Sequence, residues 1–114
     1  MVKRILFVCL GNICRSPAAE AVLIHQIKAK GIADHFFVDS AGTGGWHVGS
    51  QADFRMREAS KRRGIEITSR ARQISSQDFK NFDFILTMDS NNFDFVNSLS
   101  REPGVNINAI IKPF

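Results

Sequence analysis

The sequence contains no tyrosine, one tryptophan, three prolines and only two cysteines. The cysteines, Cys9 and Cys14, lie too close together to form a disulfide framework. No apolar run approaches the roughly 18 residues that span a bilayer. The start from Met1 to Val8 is basic and then apolar, like a secretory leader. Its apolar part is too short, however, and no small-residue cleavage site follows, so the expected location is cytoplasmic, with no membrane contact. No Gly-Lys-Ser/Thr string is present, which argues against an ATP-binding Walker loop. His25, His35 and His47 are scattered and no Cys-x2-Cys occurs, so no metal is expected. His47 is read as a surface loop histidine near Trp46.

What is present fits one folded domain over residues 1–114. Hydrophobic residues make up 44% and charged residues 23% of the chain, which excludes disordered and fibrous classes. Fifteen Lys and Arg against eleven Asp and Glu give a net charge of +4, a balance that favours anionic partners. Lys61-Arg62-Arg63 with Arg70 and Arg72 raises the question of nucleic acid. Basic groups also suit a helix C-terminus, and no stacking aromatics interleave, so no nucleic-acid partner is expected.

Apolar and capping patterns predict alternating strands and helices. Lys3–Val8 reads as a strand buried on both faces. A helix follows, with Ser16 as its cap, Pro17 in first position, Glu20 in the first turn and Gly31 as its stop. His35–Ser40 reads as a second strand. Ser50 and Asp53 resemble a capping box for a helix ending at Gly64. Ser75–Phe79 reads as a helical turn and Phe84–Met88 as a third strand. Asp89 is placed as the cap of a helix with Phe93, Val96 and Leu99 facing inward, and Val105–Ile111 reads as a fourth strand. The expected fold is α/β: an open four-stranded parallel sheet with helices on both faces.

The most informative stretch is Cys9-Leu10-Gly11-Asn12-Ile13-Cys14-Arg15-Ser16, between the first strand and the first helix. Open α/β sheets bind ligands at this edge, and a helix start offers unpaired N–H groups to an anion. Gly11 permits a tight loop whose N–H groups converge. Arg15 adds a planar fork that matches two phosphate oxygens. Cys9, set in that positive field, is favoured as a thiolate nucleophile. Together these residues point to phosphoryl transfer through a phosphocysteine.

The chain resembles the low-molecular-weight protein tyrosine phosphatases. The likeness rests on Cys9 to Pro17, Asp39-Ser40-Ala41-Gly42-Thr43, Arg70-Ala71-Arg72-Gln73-Ile74 and Ile85-Leu86-Thr87-Met88-Asp89. The resemblance implies Cys9 as nucleophile, Arg15 as phosphoryl binder and Ser16 as the hydrogen-bond partner of the Cys9 thiolate. It places Leu10, Gly11, Asn12, Ile13 and Cys14 around the substrate phosphate, with Asn12 bonded to Ser40 to hold the loop. Cys14 would trap oxidised Cys9 as a reversible disulfide, and Trp46 would wall the phosphorylated side chain. No cofactor is implied, and the implied partners are phosphotyrosine proteins and phosphate.

In that family an Asp-Pro-Tyr-Tyr loop supplies the acid that protonates the leaving phenolate. No Asp-Pro dipeptide occurs here. The general acid is therefore unassigned; Asp39 and Asp89 lie at the correct strand ends but read more simply as a strand-end acceptor and a helix cap. Without the family's acid loop and final helix, one sheet face is expected to stay uncovered and to favour self-association. Two alternatives follow: a phosphate- or phosphoprotein-binding module with little turnover, and an arginine phosphatase of the same fold. Arginine phosphatases usually carry Thr where this loop has Ile13. Arsenate reductases on this fold relay a disulfide through further cysteines, and none follows Cys14.

Overall fold

The structure, a computed structural model, describes residues 2–114. Strands β1 (Lys3–Cys9), β2 (Phe36–Gly42), β3 (Phe84–Thr87) and β4 (Ile110–Pro113) form one sheet in the order β2-β1-β3-β4. Every neighbouring pair is parallel. Four α-helices connect or flank them: α1 (Arg15–Ala29), α2 (Phe54–Arg62), α3 (Asp78–Asn81) and α4 (Ser90–Ser100). The expected α/β parallel sheet is what forms.

Central β1 must be apolar on both sides, and its pattern obeys. Leu6 and Val8 are buried with Ile85, Phe79, Phe82 and Val96 on the face covered by α3 and α4. Phe7 is buried on the opposite face, where α1 supplies Ala19, Leu23 and Ile27. The chain leaves β1 for β2 on one side and later crosses to β3 on the other. Its first connections therefore diverge at the C-terminal edge of β1, which is where a doubly wound sheet opens a crevice. Cys9 closes β1 at that edge, opposite Gly42.

On the α1 side the cover thins towards β4. Val38, Ile5, Phe84 and Ile110 lie side by side across the sheet. Val38 is 9% exposed under α1, Ile5 and Phe84 are intermediate, and Ile110 is 50% exposed. Phe114 packs edge-on against Phe7, with ring centroids 5.3 Å apart, and still leaves most of its own surface in solvent.

Several boundaries move from their sequence-based positions. β2 runs to Gly42, because residues beyond Ser40 still pair with β1. Asp53, not Ser50, caps α2: its carboxylate accepts from Arg55 N and Met56 N, while Ser50 exchanges backbone bonds with Ala71 and His47. The turn expected at Ser75–Phe79 forms at Ser76 and Gln77 and leads into α3 at Asp78–Asn81, with the Asp78 carboxylate accepting from Ser75 N and the Asp78 N–H donating to Ser75 O. β4 starts only at Ile110; Asn108 and Ala109 instead donate their backbone N–H groups to Phe79 O. Asp89 caps α4 as expected, accepting from Asn92 N at 2.8 Å.

Candidate active site

The loop from Cys9 to Arg15 is fixed from below by a buried hydrogen-bond network. Asn12 adopts φ 56°, a left-handed conformation that costs a non-glycine residue about 1 kcal/mol or more. Three side-chain bonds hold it there. Its Nδ2 donates to Ser16 Oγ and to Ser40 Oγ, both at 2.9 Å, and its Oδ1 accepts from Arg72 N at 2.9 Å. Asn12, Ser16 and Ser40 are all buried. Gly42 lies directly beneath: a Cβ there would stand 2.8 Å from Leu10 O and 3.1 Å from Asn12 N, so only glycine lets the loop settle on β2. Backbone bonds from Thr43 N to Cys9 O, Gly44 N to Leu10 O and Asp53 N to Ile13 O pin the loop from its outer side.

Ser16 does not cap α1, which corrects the sequence-based expectation. The helix starts at Arg15, with Cys14 in the capping position and no side-chain cap. Ser16 is drawn inside instead, and its Oγ lies 2.9 Å from Cys9 Sγ. That hydroxyl already accepts from Asn12, and its own proton has two acceptors within reach, Cys9 Sγ at 2.9 Å and Ala41 O at 3.4 Å. Pro17 accordingly moves to the third helical position, and Glu20 lies beyond the first turn. Among the described residues, no backbone N–H from Leu10 to Cys14 donates to a protein acceptor. With the uncapped helix start behind them, these donors form a cradle for an anion.

Arg15 stands at the same edge. Its Nη1 donates to Asp89 Oδ2 at 2.8 Å, and both side chains are partly exposed. Asp89 thus uses one oxygen for α4 and the other for Arg15. The Asn92 backbone N–H and then the Arg15 guanidinium hold its pKa below the usual carboxylate range. Asp39 is committed as well: it accepts from Ser40 N at 2.8 Å and pairs with Arg72 Nη2 at 3.1 Å. Both carboxylates are thus paired with arginines, Asp89 with Arg15 and Asp39 with Arg72.

The cradle opens into a hollow of about 250 Å³, bordered by Cys9, Leu10, Ile13, Arg15, Trp46 and His47. Trp46 is 72% exposed and lies over Gly44, where any Cβ would overlap its ring. His47 is an exposed loop residue and also lines the hollow; its Cδ2 lies 3.0 Å from where a Cβ on Gly11 would stand. Cys14 borders the same hollow, and both cysteines are free. The structure therefore brings Cys9 through Ser16, Ser40 and Trp46 together at one edge of the sheet.

Two supporting residues were not legible in the sequence. Arg72 read as part of a basic cluster, yet it pairs with Asp39 and takes both carboxylate oxygens of Asp78 at 3.0 Å. Burial works against its charge, but the bonds to Asp78 and Asp39 outweigh it and raise its pKa. This arrangement presents Arg72 N to Asn12. Glu20 read as a helix-start residue, yet it accepts from Ser40 Oγ at 2.6 Å and extends the network below the loop. Its only available signal was a carboxylate on the inward side of α1.

Comparison with known proteins agrees with this geometry. Residues 4–111 match the sequence profile of the family "Low molecular weight phosphotyrosine protein phosphatase". The protein of that name from Schizosaccharomyces pombe is 50% identical over 95 residues, which make up 82% of this chain and 61% of the relative. A solved protein tyrosine phosphatase from Entamoeba histolytica, with Hepes in its active site, superposes with a TM-score of 0.82 at 49% identity. That match covers 84% of this chain and 62% of the other. The solved Drosophila arginine phosphatase gives a TM-score of 0.91 at 36% identity, over 96% and 69% of the two chains. The chain thus spans about three fifths of the length of its curated relatives, as the 61% share of the yeast protein shows.

Proposed function

The chain belongs to the low molecular weight phosphotyrosine protein phosphatase family, and from that premise we propose that it hydrolyses phosphotyrosine in proteins through a phosphocysteine on Cys9. The observation that carries this reading is the row of backbone N–H groups from Leu10 to Cys14, unpartnered among the described residues, in the loop that directly follows Cys9. In the first step the Cys9 thiolate attacks phosphorus; an S–P bond forms as the P–O bond to the aryl oxygen breaks, and the phenolate leaves and takes its proton from water. In the second, water attacks phosphorus, the S–P bond breaks, and phosphate and the thiolate are released. Arg15 and the loop N–H groups stabilise the charge that spreads over the equatorial oxygens in both steps. The Ser16 hydroxyl stabilises the thiolate as it forms and leaves. Cys14 borders the same hollow and serves as the thiol that captures Cys9 after oxidation. The reading carries a reducing, cytoplasmic location with it, because only the reduced thiolate attacks.

Ile13 and Trp46 at the mouth favour a flat aryl ester over a phosphoguanidinium. The second reading is a phosphate- or phosphoprotein-binding module with little turnover, favoured by the commitment of Asp39 and Asp89 to arginine partners. One experiment separates the two: rapid acid quench with a ³²P-phosphotyrosine peptide, followed by mapping of the label. The phosphatase reading expects label on Cys9 and steady release of phosphate. A single burst of phenol without further turnover favours the binding module, and an unlabelled Cys9 overturns the phosphocysteine. The uncovered stretch around Ile110 and Phe114 supports self-association of the 114-residue chain, which light scattering at rising concentration tests.

A further inference from the structure

A separate cavity of about 330 Å³, which shares no lining residue with the Cys9 hollow, lies between α1 and the extended segment around residues 65–69. Its apolar walls include Ile24, Ile65 and Ile67, and its charged groups are Glu20, Glu66 and Lys28, with His25 also at its border. Neither Glu20 nor Glu66 forms an ion pair among the described residues. The cavity therefore carries an excess of negative charge over an apolar floor. Its volume lies at the low end of small-molecule sites, about 300–1,000 Å³, enough for a ring-sized molecule.

Glu20 joins this cavity to the active site. Its Oε1 accepts from Ser40 Oγ at 2.6 Å, and Ser40 Oγ accepts from Asn12 Nδ2 at 2.9 Å. The same Asn12 amide donates to Ser16 Oγ, which lies 2.9 Å from Cys9 Sγ. An ionised Glu20 has no proton to give, so Ser40 must donate to it and turn its lone pairs to Asn12. Both amide protons of Asn12 are then committed, and the Ser16 proton divides between the sulfur at 2.9 Å and the more distant Ala41 O at 3.4 Å. Desolvation by burial is the main influence on Glu20 and raises its pKa, with the Ser40 and Ser69 hydroxyls in opposition. Asp39 adds to the rise and Arg72 opposes it, but among the described residues no cation forms an ion pair with this half-buried carboxylate.

We propose that this cavity is a second ligand site, for a small organic ammonium ion that pairs with Glu20, and that its occupation tightens the hydrogen bonds reaching Cys9. The ligand's ring or alkyl part lies on Ile24, Ile65 and Ile67, and its charged end faces Glu20 and Glu66. Pairing keeps Glu20 ionised and Ser40 donating, which directs the Ser16 hydroxyl at the sulfur and favours the thiolate. The proposal does not depend on which phosphate ester the Cys9 site turns over.

The test uses benzylammonium as the probe and benzyl alcohol as its neutral counterpart, with the full chain labelled at isoleucine methyl groups. Benzylammonium should bind with a dissociation constant in the millimolar range, typical of so few atoms, and shift the methyl signals of Ile24, Ile65 and Ile67. Benzyl alcohol should bind at least about tenfold more weakly, and Glu20→Gln should weaken benzylammonium to a similar extent. At saturation the rate of iodoacetamide alkylation, mass-mapped at Cys9, should rise about two- to fivefold. Ser40→Ala should still bind the ion but lose that rise. Should Glu20→Gln fail to fold, Glu66→Gln and the ammonium-against-alcohol contrast decide the point. Absent methyl shifts, equal binding of the alcohol, or binding with no change at Cys9 would overturn the proposal. None of these readouts involves phosphate release, so their failure is distinct from failure of the phosphatase reading.

Discussion

Helices α1 and α4 start at the same edge of the sheet, just after the adjacent parallel strands β1 and β3, yet their first turns are opposites. α4 is capped: the Asp89 carboxylate accepts from Asn92 N at its start. α1 is open: no side chain caps it, and the serine best placed to do so is turned inward to Cys9. A missing N-cap typically costs about 1 kcal/mol. The fold accepts that cost at one of two equivalent positions and surrounds it with a nucleophile, a guanidinium and a buried asparagine in a left-handed conformation. One helix start supports the structure, and the other is kept available to an anion. The Arg15–Asp89 pair ties the two together, because the residue that closes α4 also aims the arginine beside α1.

The largest effect should come from removing the nucleophile. Cys9→Ser should lower turnover of phosphotyrosine by about 10⁴-fold or more while vanadate still binds, since the open helix start is untouched. Steady-state kinetics and a vanadate titration together check this. Next, Arg15→Lys should cost about 10²-fold in kcat/KM, because a point charge cannot replace the planar fork. A loss spread evenly over all anions, chloride included, would reduce Arg15 to a general positive charge.

Closing the open start should break the contrast directly. Cys14→Asp places an anionic acceptor in the capping position of α1, as Asp89 is in α4. It should lower vanadate affinity by at least about tenfold, measured by inhibition, because a fixed carboxylate competes for the same N–H groups. Unchanged vanadate affinity would show that the helix start is not where the anion sits.

The smallest effects belong to the closed start. Asp89→Asn keeps a good N-cap but loses the charge, so neutral-pH stability should change by less than about 1 kcal/mol. Asp89's pKa is lowered in the folded state, so its contribution is present above the ordinary carboxylate pKa and is lost as pH falls through its lowered value. Asp89→Asn should flatten that acid limb. Glu20, whose folded pKa is raised, acts in the reverse sense: its contribution is complete below the ordinary pKa and is lost as pH rises through the raised one. Glu20→Gln should therefore be most stable relative to the parent at neutral pH, and denaturant midpoints across pH test both signs.

The contrast also explains what the sequence made legible. Asp89 was readable as a cap because a short carboxylate before an amphipathic run has one local use. Ser16 carried the same local signal and was misplaced, because its partners Cys9, Asn12 and Ala41 come from other elements. Local propensity identifies the cap that serves its own helix; it does not see a side chain recruited by the sheet. The parallel order and the Cys9–Arg15 loop were legible from strand–helix alternation and from the loop residues themselves. The place of β4 was not, since Phe79 takes the backbone donors of Asn108 and Ala109 out of strand pairing. Arg72 was hidden for a similar reason: its acids, Asp39 and Asp78, lie on two different segments.

The most direct test of the central claim is a titration of ¹⁵N-labelled protein with vanadate, following the backbone amides at both helix starts. Large shifts should be confined to Leu10 through Ser16, while Asn91 and Asn92 at the start of α4 change little. Equal shifts at the two starts, or shifts centred on α4, would contradict the account.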